Sequence, residues 1–152
     1  MKKQFIKHAL SELEGIMIQK ISSSSIHCGF PSPATDYISE RINLSQELIP
    51  NPDYTELVEV TWGDCCKDEQ VFKGCLVLID YTLEPKKGDL VYVRDGDDDM
   101  IRVYRENRGR VSLTAANREA SYSPIFVDPG SPVEIRGVIT FSIVPKRKRN
   151  VL

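Results

Sequence analysis

The sequence predicts a mostly β domain that follows a partly helical, flexible N-terminal arm. From Tyr54 onward, short apolar segments rich in strand-forming residues alternate with turn-forming Gly, Asp and Pro. The predicted strands cover residues 56–62, 75–81, 88–94, 100–105, 110–115 and 133–144. The acidic run at residues 95–99 lacks the alternate ligands and late glutamate of a calcium loop, so it is interpreted as a hairpin tip.

The first third of the chain is organised differently. Apolar residues recur at helical spacing over residues 4–19, which predicts an amphipathic helix that packs on its own domain or forms on a partner. Serines 22–25 interrupt that pattern, and prolines 31 and 33 keep the segment around Cys28 and Gly29 extended. Residues 36–42 suit a short helix. We therefore expect an arm, an extended segment around Cys28 and Gly29, and a linker at residues 1–53, and a β domain at residues 54–152.

Composition limits the possible functions. The chain has 152 residues and a formal net charge of −2, which gives no reason to propose wholesale binding of nucleic acid. The arm is too short for a helix-turn-helix, so we expect no sequence-specific DNA binding. No run approaches the ~18 apolar residues of a membrane span, and no secretory pattern or phosphate-binding glycine loop is found. We expect a cytoplasmic protein with free thiols and no cofactor.

The segment at residues 60–80 contains the clearest candidate for a reactive group. Gly63-Asp64 is a turn signal, and Cys65 follows it directly, where a side chain can project into a cleft. Cys66 and Cys75 are expected to be small buried hydrophobic residues. A metal or redox site formed by these three cysteines is an alternative, although adjacent cysteines lack the usual Cys-x-x-Cys spacing.

Several motifs resemble those of the LexA/UmuD self-cleaving peptidases, and of UmuD-like proteins in particular. The most specific is C-G-F-P-S-P-A-x-D-Y at residues 28–37, which is followed by R-I-x-L at residues 41–44. The likeness continues in order at residues 63–64, 74, 76–80, 88–91, 122–125 and 137–139. It covers nearly all of residues 28–145 and implies the compact antiparallel β domain of that family.

The resemblance also implies a chemistry and a set of partners. In that family a serine directly after Gly-Asp attacks a backbone carbonyl of the protein's own arm, and a buried, neutral lysine takes the serine proton. Matched residue by residue, the attacked bond is Cys28-Gly29, the nucleophile is Cys65, and the lysine position falls on Arg102 with a one-residue ambiguity. The implied partners are a second copy of the chain, the RecA filament on single-stranded DNA, and a translesion polymerase.

Two positions depart from the family's catalytic pair. Cysteine can replace serine, because a thiol is partly ionised near neutral pH and is strongly nucleophilic. Arginine cannot replace lysine as a base, because a guanidinium group keeps its proton in proteins. Arg102 can still favour a thiolate at Cys65, but it cannot pass a proton to the leaving amine. Trp62 replaces a small serine before Gly-Asp, and we expect it to fill the cleft.

Two functions from different classes follow. The first is a UmuD-like accessory protein of the SOS response and translesion synthesis, with self-cleavage lost or severely reduced, that works as a dimeric binding module. Its Cys28-Gly29 motif is then uncut, or is cut in trans by an active relative. The second is an active cysteine autoprotease that uses Cys65 with help from Arg102 or from His27 beside the scissile bond.

Overall fold

The computed structural model describes residues 17–21 and 39–146. The chain divides into two units, Met1–Pro50 and Asn51–Leu152. In the first unit, strand β1 (Met17–Ile21) pairs antiparallel with strand β2 (Ser39–Asn43), from Met17 opposite Asn43 to Ile21 opposite Ser39. A single helical turn, α1 (Leu44–Leu48), follows β2 directly.

Both predicted helices of the arm are wrong where the structure describes them. Residues 17–19 belong to β1 and residues 39–42 belong to β2, and the remainder of each predicted helix lies outside the described residues. The two strands satisfy each other's backbone hydrogen bonds, and the helical periodicity of so short a segment does not anticipate that pairing. Cys28, Gly29 and His27 also lie outside the described residues.

The second unit is a seven-stranded antiparallel sheet, which confirms the predicted mostly β fold. Its strands are β3 (Thr55–Glu59), β4 (Leu76–Asp80), β5 (Leu90–Asp95), β6 (Asp98–Asn107), β7 (Arg110–Thr114), β8 (Ile125–Val127) and β9 (Val133–Ile143). They lie in the order β3-β4-β9-β5-β6-β7-β8. Two short 3-10 helices, Pro52–Tyr54 and Lys67–Glu69, accompany the sheet.

The predicted strands match the observed ones within a few residues, with one omission. The acidic run is the tip of the β5–β6 hairpin, where Asp95 pairs with Asp98. The prediction omitted β8, which has only three residues. So short a strand carries too few side chains to show a period, and it forms because Ile125 and Val127 pair with β7.

The last strand of the chain, β9, lies inside the sheet between β4 and β5. Both of its ladders shift register, at Leu78/Ile79 on β4 and at Tyr92/Val93 on β5. Gly137 pairs with Tyr92 at the second of these shifts, and a Cβ atom there would come within 2.7 Å of Ile79 Cγ2. Only glycine permits this close approach of the strands.

The apolar side chains of the second unit form two buried clusters. The first cluster consists of Cys66, Val71, Cys75, Val77, Ile79 and Val103. The second cluster consists of Val91, Val93, Leu113, Val133 and Val138. Cys66 and Cys75 have no exposed surface, which confirms that they are small buried residues. Cys65 packs against the first cluster from its edge.

Candidate active site

Cys65 lies in the loop that connects β3 to β4. The base of the loop is closed by a hydrogen bond from the Val60 N–H to the Cys75 carbonyl, 2.9 Å long. Gly63 has a φ of +90°, a value that side-chain-bearing residues rarely adopt, and its carbonyl accepts a hydrogen bond from the Lys73 N–H. The chain therefore turns sharply at Gly63, as the sequence predicts, and Cys65 follows the turn.

The segment that follows β7 fixes the backbone of Cys65. The Ala116 N–H donates a 2.8 Å hydrogen bond to the Cys65 carbonyl, and the Asp68 N–H donates one of 2.8 Å to the Ala116 carbonyl. The Asn117 side-chain amide donates to the Asp64 carbonyl at 2.9 Å. These bonds hold both sides of Cys65, so its side chain is presented by a tethered loop.

Two cysteine sulfurs meet at one carbonyl oxygen of β6. The Sγ atom of Cys65 lies 3.1 Å from the Ile101 oxygen, and the Sγ atom of Cys66 lies 3.4 Å from the same oxygen. The two sulfurs are 3.9 Å apart. Cys65 is half-buried, whereas Cys66 has no exposed surface. One accessible and one shielded sulfur therefore lie side by side.

Arg102, the next residue along β6, supplies the positive charge of the site. Its guanidinium carbon lies 5.3 Å from the centre of the Tyr122 ring, within range of a cation–π interaction. The Tyr122 hydroxyl donates a hydrogen bond to the Asp64 carboxylate. The Nε and Nη1 atoms of Arg102 are shielded from solvent and have no hydrogen-bond partner within the described part of the chain. The neighbours of Arg102 on β6 are the uncharged Ile101 and Val103.

The surroundings of Cys65 favour its thiolate. Once Cys65 is ionised, the Cys66 thiol can donate a hydrogen bond to its thiolate, which lowers the pKa of Cys65. Partial burial opposes that effect, and the positive charge of Arg102 lowers the pKa further, to about 6. The negative charge of Asp64 acts in the opposite direction and raises the pKa. The same hydrogen bond and burial raise the pKa of Cys66, which therefore remains a thiol.

The structure brings some of the predicted site residues together and corrects one expectation. Cys65 lies within the electrostatic range of Arg102, whereas Cys28 and Gly29 are outside the described residues. The prediction that Trp62 fills the cleft is wrong, because its side chain is 89% exposed. Trp62 stands directly before the turn at Gly63, and its side chain points into solvent.

Three contributors to the site were not assigned a role from the sequence. They are the Ile101 carbonyl, the Cys66 thiol and the Tyr122 ring. Tyr122 belongs to one of the family-like motifs, so a signal was present without a function attached to it. A backbone carbonyl leaves no trace in the sequence, and only strand pairing decides where Ile101 points.

Other kinds of site find little support in residues 17–21 and 39–146. No three His, Cys, Asp or Glu side chains within these residues converge as ligands for a metal ion. None of the helices described there has the length and apolar character needed to cross a membrane.

A model of the Peptidase S24-like family matches residues 20–140. Because this match covers more than half of the chain, the chain belongs to the Peptidase S24-like family. The resemblance to the LexA/UmuD self-cleaving peptidases is thereby confirmed, and with it the fold class.

Individual relatives agree with this assignment. Protein SamA of Salmonella typhimurium is 31% identical over 113 residues, which are 74% of this chain and 75% of SamA. Protein MucA of Escherichia coli is 28% identical over 120 residues, which are 78% of this chain and 80% of MucA. The LexA repressor of Albidiferax ferrireducens is 29% identical over 114 residues. The chain spans about half the length of that repressor, 49%, and the match covers 74% of the chain.

Proposed function

We propose that this chain is a UmuD-like accessory protein of the SOS response and translesion synthesis whose self-cleavage is lost or severely reduced. It works in the cytoplasm as a homodimeric binding module for the RecA filament and a Y-family polymerase. The similarity to SamA and MucA over 75% and 80% of their lengths supports this proposal. So does the Cys28-Gly29 motif, which keeps the arm recognisable as a cleavage substrate.

The observation that carries the loss of activity is the guanidinium group of Arg102 beside the candidate nucleophile. Cleavage of a peptide bond requires a group that gives a proton to the departing amine. A guanidinium group stays protonated at physiological pH and is too weak an acid to give its proton to the amine. Cys66 is still protonated, but its sulfur has no exposed surface from which to reach a substrate nitrogen.

A second candidate function has one specific observation in its favour. The Cys66 thiol and Arg102 favour the thiolate form of Cys65, and a thiolate needs no base to become a nucleophile. The chain would then be a cysteine autoprotease that cuts its own Cys28-Gly29 bond. This function needs another proton donor for the leaving amine, such as His27 on the substrate segment.

The intact mass of the purified full chain separates the two functions. The protein is incubated at alkaline pH and, separately, with RecA, single-stranded DNA and nucleotide, and a Cys65→Ala variant is treated identically. An unchanged mass in both conditions supports the impaired protein. Fragments that meet between Cys28 and Gly29, and that are missing from the variant, would overturn it and establish the autoprotease.

Two further measurements test the binding module. Light scattering across a concentration series reports whether the chain is a dimer, and co-sedimentation with RecA-coated DNA reports whether it binds the filament. Addition of an active relative then tests cleavage of the arm in trans. A monomer that does not sediment with the filament would contradict the proposed partners, whatever the outcome of the cleavage experiment.

A further inference from the structure

Cys65 and Cys66 have the relative placement of a reactive thiol and a resolving thiol. Their Sγ atoms are 3.9 Å apart, and both lie near the Ile101 carbonyl oxygen, at 3.1 and 3.4 Å. Solvent reaches Cys65, which is half-buried, but does not reach Cys66, which is 0% exposed. An oxidant from solution therefore meets Cys65 first, and the nearest shielded thiol is that of the adjacent residue.

The charge distribution of the site supports the same order of reaction. Arg102 supplies a positive charge to the Cys65 sulfur, and its Nε and Nη1 donors are unpaired within the described residues. Thiolate character and accessibility determine which cysteines are oxidised, and sensor cysteines often lie beside a resolving cysteine. The Arg102 guanidinium cannot act as a base in peptide hydrolysis. Its positive charge is nevertheless suited to stabilising a thiolate and a departing hydroxide.

We propose that Cys65 and Cys66 form a hydroperoxide-reactive pair that is converted reversibly into a disulfide between the two adjacent residues. In the first step the Cys65 thiolate attacks a peroxide oxygen, the O–O bond breaks, and hydroxide or alkoxide leaves. Cys65 becomes a sulfenic acid. In the second step the Cys66 sulfur attacks the Cys65 sulfur, the S–O bond breaks, and water leaves with the Cys66 proton. The two thiols lose two electrons, which reduce the peroxide.

The product is expected to be readily reduced. Adjacent Cα atoms across a trans peptide bond are about 3.8 Å apart, which is below the range of roughly 4.4–6.8 Å in ordinary disulfides. Closing the bond therefore requires movement of the Cys65–Cys66 backbone, which is held by the hydrogen bond between Ala116 and Cys65. Strained disulfides have higher reduction potentials and are the labile, regulatory ones. This pair thus suits a transient signal better than a permanent cross-link.

The test combines a peroxide titration with thiol counting on the full chain. Reduced protein receives stoichiometric hydrogen peroxide, the remaining thiols are alkylated, and the intact mass and proteolytic peptides are measured. We expect the wild type to lose two alkylatable thiols, and the peptide that contains Cys65 and Cys66 to be two hydrogens lighter. Dithiothreitol should restore both thiols.

Variants assign the two roles. Cys66→Ala and Cys66→Ser should trap a sulfenic acid that reacts with dimedone, whereas Cys65→Ala should keep its remaining thiols at the same dose. Arg102→Gln should be oxidised several-fold more slowly. Cys75→Ala is the matched control, because Cys75 is equally buried and belongs to the same cluster as Cys66, and it should behave as the wild type does.

Several results would overturn the proposal. They are a disulfide from Cys65 to Cys28, to Cys75 or to a second chain, an equal dimedone adduct in the wild type and the Cys66 variants, and oxidation no faster than in unfolded protein. The wild-type peptide map decides between these outcomes even if neither Cys66 variant folds. Because the readout is oxidation and not cleavage, failure here leaves the proposed accessory function intact.

Discussion

Asp80 and Arg102 both place charged-group atoms out of solvent in the β domain, but their surroundings differ. Asp80, at the end of β4, is 2% exposed and accepts three hydrogen bonds. Two come from the Thr82 N–H and hydroxyl, at 2.8 and 2.6 Å, and one comes from the Asn51 amide at 3.3 Å. Arg102 keeps its Nε and Nη1 atoms out of solvent with no partner among the described residues.

This difference separates a charge that supports the fold from a charge that serves a site. A buried charge is costly unless hydrogen bonds replace those that water would make. Asp80 meets that condition and ties the residues before β3 to the end of β4. Arg102 meets it only in part, because two of its donors have no partner among the described residues, while its charge faces the Tyr122 ring and the Cys65 sulfur.

The largest effect is expected from restoring a base next to the nucleophile. Cys65→Ser combined with Arg102→Lys should raise self-cleavage at Cys28-Gly29 by about 100- to 10,000-fold, the usual contribution of a general base. The rate is measured from the intact mass over time at alkaline pH. Because Trp62 points into solvent, adding Trp62→Ser should change this rate little.

The matched control for this gain is Cys65→Ser with Arg102→Gln, which removes the charge and supplies no base. It should remain uncut. Equal cleavage in both double variants would show that Arg102 is not at the base position. Inertness of both, in folded protein, would show that another part of the machinery has also diverged.

The next largest effect is expected in the pKa of Cys65. Its alkylation rate should rise with pH to a plateau with a midpoint near pH 6, whereas an unperturbed thiol has a midpoint near 9.0. The midpoint is the quantity to measure, not the rate at one pH. A thiol with a lower pKa is ionised to a greater extent, but its thiolate is a weaker nucleophile, so these two effects on the rate partly cancel. Cys66→Ala and Arg102→Gln should each raise the midpoint. A midpoint equal to that of unfolded protein contradicts the assignment.

Removal of the Asp80 carboxylate should weaken the fold. Asp80→Ala leaves the donors of Thr82 and Asn51 without their acceptor, so we expect the free energy of unfolding to fall by about 2–3 kcal/mol. Urea denaturation measures this change. Asp97→Ala at the exposed hairpin tip is the control, and it should stay within about 0.5 kcal/mol of the wild type.

The Asp80 carboxylate should also make the free energy of unfolding depend on pH. Burial raises the pKa of Asp80, but its hydrogen bonds from Thr82 and Asn51 outweigh that effect and hold the pKa below its ordinary value of 3.8. The stabilisation is therefore complete well above pH 3.8 and is lost as the pH falls through the lower folded value. Urea midpoints over this acidic range should drop less steeply for Asp80→Asn than for the wild type.

The smallest effect is expected where the charge is unpaired. Arg102→Met keeps much of the side-chain volume and removes a poorly compensated charge, at the loss of the contact with Tyr122. The free energy of unfolding should therefore change by no more than about 1 kcal/mol in either direction. A loss as large as that of Asp80→Ala would refute the contrast, because it would place Arg102 in the fold's own stabilising network.

Much of the sheet could be predicted from local pattern. The β4 and β9 segments are rich in Val, Ile and Leu, and the Asp-Gly run at residues 95–99 marks the hairpin between β5 and β6. The arm was predicted poorly, because residues 17–19 and 39–42 carry a weak periodic signal that their pairing overrides. The three-residue β8 was missed because it is too short to show a period.

Three features follow from the residues and their order: the class of protein, the Gly63-Asp64 turn that displays Cys65, and the chemical mismatch of a thiol with an arginine. These depend on residue identity and order, which a single chain shows directly. Three other features depend on the folded chain: Ile101 presents its carbonyl to two sulfurs, Tyr122 packs against Arg102, and Trp62 points away from the site. The contacts of Ile101 and Tyr122 join residues that are distant in the sequence, so strand register and loop closure set them, not local propensity.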